Sequence, residues 1–78
     1  QEVVMNWDEI KGSWKELRGR VREQWGKLTD DDVDIIAGRR DRLVGLIQQR
    51  YGTLKEDADA QITAFERRVA DMHNPVNS

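Results

Sequence analysis

The chain has 78 residues, 13 basic and 15 acidic side chains, and a formal net charge of −2. That length fits one domain with a small core, and the charge balance excludes a globally basic nucleic-acid protein without excluding a basic face. With no cysteine and one histidine, a disulfide staple is excluded and a structural zinc site is disfavoured, so helix packing must hold the fold.

Residues 1–4 read as an upstream or expression-derived extension ahead of Met5. Beyond them Trp7, Ile10, Trp14, Leu17, Val21, Trp25 and Leu28 recur at steps of three or four, placing them on one arc of a helix from about Trp7 to about Lys27. Asn6 and Glu9 have capping-box spacing at its start. All three tryptophans are expected in the core, with their indole N–H groups seeking partners at its edge.

Thr29 followed by Asp30, Asp31 and Asp32 is a second start signal, a hydroxyl cap ahead of carboxylates that favour the positive end of a helix dipole. Val33, Ile35 and Ile36 give a short apolar turn, and Gly38 suits the left-handed position that ends a helix. Asp41 to Tyr51 resumes the helical pattern with Leu43, Val44, Ile47 and Tyr51 on one side, closed by Gly52. Thr53 and Glu56 repeat the capping-box spacing. The last helix carries Leu54, Ala58, Ile62, Phe65 and Val69 inward and should fray before Asn74-Pro75, because proline disfavours a helical residue ahead of it. The tail from His73 to Ser78 is expected to be disordered.

These elements predict an all-α fold, a small four-helix bundle with very short connections. No apolar run approaches the roughly 20 residues of a membrane span, and none is expected.

Inside the first helix Gly12, Gly19 and Gly26 recur every seven residues. An interior glycine costs about 1 kcal/mol relative to alanine. Either another backbone or a partner approaches closely along this line, or these are exposed positions that tolerate glycine.

No catalytic, metal or cofactor constellation is recognisable. Asp30, Asp31, Asp32 and Asp34 lack the glycine and bidentate glutamate of a calcium loop and sit where helix-start carboxylates are ordinarily favoured. His73 has no companion ligand, and the glycines are not packed into a phosphate-binding turn. The chain is therefore expected to be non-enzymatic and to need no cofactor.

Charge is distributed in patches. Lys11, Lys15, Arg18 and Arg22 line one flank of the first helix, and Arg39, Arg42 and Arg50 share a face further on, while residues 29–38 carry only acidic charge. These two basic sets are the candidate partner-binding residues. One reading is solvated faces whose long stems cover core edges; the other is an anionic partner such as nucleic acid. A further reading is a homotypic interaction module in which the Gly12, Gly19 and Gly26 line or Leu46 docks on another copy, and a protein partner, a monomer or a weak homo-oligomer all remain compatible with the sequence.

The segments Met5-Asn6-Trp7-Asp8-Glu9-Ile10-Lys11-Gly12, Gln24-Trp25-Gly26-Lys27-Leu28-Thr29-Asp30-Asp31-Asp32, Ile36-Ala37-Gly38-Arg39-Arg40-Asp41, Leu43-Val44-Gly45 and Arg50-Tyr51-Gly52 together resemble the CsbD-like family of bacterial stress proteins. The resemblance covers about residues 5–69, with the helical domain taken as residues 5–72. Phe65 stands where relatives often have tryptophan, Leu46 where lysine is common, and Thr53-Leu54 replaces a more polar turn. The resemblance implies two helical hairpins packed crosswise, a cytoplasmic location, and abundance raised by general, osmotic or stationary-phase stress. It carries over no catalytic residue.

Overall fold

The computed structural model describes residues 6–73, with only the backbone of residues 72 and 73. The expectations for residues 1–4, for Met5, for residues 74–78 and for the His73 side chain lie outside the described residues. Five helices follow in chain order: α1 (Trp7–Gly12), α2 (Trp14–Gln24), α3 (Asp30–Ile36), α4 (Arg40–Tyr51) and α5 (Lys55–His73). The all-α class holds, whereas the expected four-helix bundle becomes a five-helix arrangement.

The difference in number arises at Ser13. Its φ and ψ of −107° and 17° leave the helical region, and its N–H lies 3.1 Å from both the Glu9 and Ile10 carbonyls. Gly12-Ser13 is a weak helical pair, and Ser13 interrupts the helix for a single residue. Ile10 on α1 and Leu17 and Val21 on α2 consequently still face one core. α2 ends at Gln24, earlier than the expected Lys27. Trp25 leaves the helical region with φ −126° and ψ 84°, and its ring lies at a centroid distance of 5.2 Å from that of Phe65.

The local start signals behave as short-range chemistry requires at two helices of three. Glu9 N–H donates to Asn6 Oδ1 at 3.0 Å while Asn6 N–H donates to Glu9 Oε1 at 3.2 Å. Asp32 N–H donates to Thr29 Oγ1 at 3.1 Å and Thr29 N–H to Asp32 Oδ2 at 3.0 Å. The expected Thr53–Glu56 box does not form, and Thr53 Oγ1 is buried without a hydrogen-bond partner. α5 instead starts one residue later, with Ala58 N–H donating to the Leu54 carbonyl. Lying ahead of the first helical residue, Leu54 leaves the apolar arc and is 68% exposed, which corrects its inward placement.

At the end of α3 two residues in succession are left-handed, Ala37 at φ 48° and Gly38 at φ 79°. Gly38 is required twice over: besides its φ, a Cβ there would sit 2.7 Å from the Lys11 Cα. This close approach seats the α3–α4 connection against α1. Gly52, at φ 67°, closes α4 as expected.

The core gathers apolar side chains from every helix, among them Ile10, Val21, Trp25, Ile36, Leu43, Ile47, Ile62 and Val69. Trp7 and Trp14 were expected inside it and lie at its rim, partly buried. Their N–H groups find acceptors there, as does that of Trp25: Trp7 on Glu66 at 2.6 Å, Trp14 on the Val33 carbonyl at 3.3 Å and Trp25 on Gln61 at 2.8 Å. Gly12, Gly19 and Gly26 are exposed, and an added Cβ at each would meet nothing within 4 Å. No other part of the described chain packs closely on that line.

Candidate functional surface

The acidic helix α3 lies between the two basic sets and divides them. It runs back alongside α2, so Arg18 pairs with Asp34 at 2.7 Å and Arg22 pairs with Asp30. From the other side Arg50 on α4 places its fork on Asp32, with Nε to Oδ2 at 2.9 Å and Nη2 to Oδ1 at 2.7 Å. Arg42 donates from Nη1 to the Ile35 carbonyl at 2.9 Å, supplying a cation to the negative end of the α3 dipole. Four of the seven candidate residues thus have intramolecular acceptors.

Asp32 is the most constrained of these carboxylates. It is 2% exposed and accepts both Arg50 bonds and the Thr29 N–H. Arg50 foremost, and then the Thr29 backbone N–H, hold its carboxyl down from 3.8 to about 2. Because Asp30, Asp32 and Asp34 are drawn to three arginines on two sides of α3, they do not converge on one point as ligands of one cation would have to.

Lys11, Lys15 and Arg39 remain. They are exposed and have no ion-pair partner among the described residues. Lys15 stands one turn beyond Lys11, and Gly38 packs on the Lys11 backbone, so the chain at Arg39 passes next to Lys11. The fold thus brings the backbone that carries Arg39 next to Lys11 from a distant stretch of sequence.

A second polar network escaped the sequence reading. Glu66 on α5, 8% exposed, accepts from Trp7 Nε1 at 2.6 Å and from Arg40 Nε at 3.0 Å. Arg40 also donates to Asp59 Oδ1 at 3.1 Å, and Lys55 reaches Asp59 at 3.0 Å. Lys55 first and Arg40 second lower the Asp59 pKa. Glu66 carried one usable signal, since it falls on the apolar arc between Ile62 and Val69. Its partners lay too far away in sequence to be named.

Two shallow cavities flank α5. One of about 280 Å³ is lined by Arg20, Glu23, Gln24, Phe65, Arg68 and Asp71. The other, of about 420 Å³, is lined by residues of α4 and α5 including Arg40, Val44, Gln48 and Asp59. The charged linings already pair or hydrogen-bond across them, Arg20 with Glu23, Arg68 with Gln24 and Arg40 with Asp59. No helix among the described residues is long and apolar enough to cross a membrane.

A family model described as CsbD-like matches residues 8–60. The chain is 56% identical over 64 residues to the UPF0337 protein YjbJ of Escherichia coli (strain K12), covering 82% of this chain and 93% of that one. It is 52% identical over 65 residues to the YjbJ protein of Salmonella typhimurium, covering 83% and 93%. A UPF0337 protein of Nitrosomonas europaea is 47% identical over 76 residues, covering 97% of this chain and 73% of its own length.

Proposed function

The chain belongs to the CsbD-like family, and on that footing we propose that it serves the bacterial general stress response as a non-enzymatic cytoplasmic protein, acting through surface contacts or high copy number. The family is known for general stress response, and that role is carried to this chain by membership.

The observation that favours a non-enzymatic role is the direction in which the perturbed carboxylates move. Asp32 and Asp59 are both lowered by cationic side chains from their ordinary value. A general acid at neutral pH needs its pKa raised toward 7, and a carboxylate held down by an arginine is a weak base. Both groups also tie helices together or brace one turn, Asp32 joining α3 to α4 and Asp59 joining α5 to α4. Their chemistry is spent on the fold.

The test is complementation. A bacterial strain deleted for its own CsbD-like gene would be given this chain, and survival would be followed through osmotic shock and stationary phase. Recovery by the wild type and by Asp59→Asn is the expected result. A turnover activity abolished by one conservative substitution in a folded protein would overturn the non-enzymatic reading.

A further inference from the structure

The ion pairs around α3 convert a broad basic surface into a small one. Arg18, Arg22 and Arg50 are matched by Asp34, Asp30 and Asp32, and Arg42 is held by the Ile35 carbonyl. Of the seven candidate cations, Lys11, Lys15 and Arg39 alone have neither a counter-ion nor a carbonyl acceptor among the described residues. Lys11 and Lys15 are one helical turn, about 6 Å, apart along α1–α2. The Gly38–Lys11 approach brings the backbone of Arg39 next to Lys11.

Trp14 immediately precedes Lys15 and lies on the apolar arc that the two lysines flank. Its Nε1 donates to the Val33 carbonyl at 3.3 Å, which holds the indole against α3 at the rim of the core, and the residue is partly buried. A short run of cations with an aromatic surface among them is the combination that binds a single nucleic-acid strand: cations follow the phosphates and the ring stacks a base. The surroundings disfavour a flat anionic membrane. Lipid surfaces are recognised by broader clusters, of roughly four to eight cations. Here three cations fall short of that number, and Asp8 and Asp41, close to Lys11 and Arg39 in sequence, are exposed.

We propose that Lys11, Lys15 and Arg39, with the partly buried Trp14 beside them, form a short track for one strand of nucleic acid. The proposal rests on the surface-contact reading above and names its partner class.

The test uses the full chain and a fluorescein-labelled single-stranded oligonucleotide, read by anisotropy at about 50 mM and about 200 mM salt. Three phosphate contacts on a single strand give a slope of log K against log salt of about −2, so affinity should fall roughly 20-fold between the two conditions. Lys15→Gln and Arg39→Gln, which act from different elements, should each reduce the slope magnitude by about 0.7. Lys27→Gln, whose ammonium lies over the Tyr51 ring, should leave it unchanged. Circular dichroism of each variant establishes that the fold is retained.

Absence of binding at the lower salt overturns the proposal. So does an equal loss with Lys27→Gln, or tighter binding of the duplex of the same sequence. Binding to phosphatidylglycerol vesicles without binding to the oligonucleotide replaces the partner class with lipid. Survival in the complementation assay without oligonucleotide binding leaves the stress-protein reading standing and removes this one alone.

Discussion

Arg50 on α4 grips Asp32 on α3 through two parallel hydrogen bonds of 2.9 and 2.7 Å, while the same carboxylate accepts the Thr29 N–H at 3.0 Å. One buried side chain therefore caps its own helix and fastens it to the next. The Asp32 pKa is depressed, so the stability it contributes is fully present above 3.8 and is lost as pH falls toward about 2. Thermal unfolding followed from pH 5 to pH 2 should show the midpoint dropping mainly across that window. Asp32→Asn keeps an acceptor but has no charge to lose, so it should be less stable at pH 5 and its midpoint should fall less. Parallel pH profiles for the two proteins would refute this role for Asp32.

Glycines in this chain should respond to alanine with opposite signs. Gly19 and Gly45 sit inside α2 and α4, and an added Cβ would meet nothing within 4 Å. Each change to alanine should stabilise the fold by about 1 kcal/mol. Gly38→Ala should destabilise it by roughly 1–3 kcal/mol, because of the left-handed φ and the collision with the Lys11 backbone. Urea titrations of the three variants would measure this, and a stabilising Gly38→Ala would contradict the packing described.

Trp7 contributes one donor to a nearly buried acceptor. Trp7→Phe retains an aromatic ring at the core rim and removes the N–H to Glu66, and should cost about 1 kcal/mol. If denaturant unfolding finds no difference between Trp7→Phe and the wild type, the 2.6 Å bond does not contribute to stability.

Phe65 and Leu54, both read from sequence as inward, should separate cleanly. Phe65 is 3% exposed against Trp25, and Phe65→Ala should cost about 3–5 kcal/mol, a large part of the stability of so small a domain. Leu54 is 68% exposed, and Leu54→Ser should change stability by no more than about 0.5 kcal/mol. Equal effects at the two positions would restore Leu54 to the core.

The sequence by itself determined what depends on neighbours three or four residues apart. The Asn6–Glu9 box, the Thr29 cap, the Gly52 terminus and the apolar arcs through Ile10, Val21, Leu43, Ile47 and Ile62 were legible because helical geometry places such residues together in any context. That local reading failed at Thr53, where a matching spacing was displaced by one residue and Leu54 turned outward. Only the tertiary structure decided which charges meet. Arg50 and Asp32 are 18 residues apart, and Trp7 and Glu66 are 59 apart. A carboxylate can pair with any arginine that packing brings within reach, and no local spacing encodes that choice. The candidate surface changed for the same reason: of the seven candidate cations legible along the chain, four found an acceptor around α3, and Lys11, Lys15 and Arg39 have neither a counter-ion nor a carbonyl acceptor among the described residues.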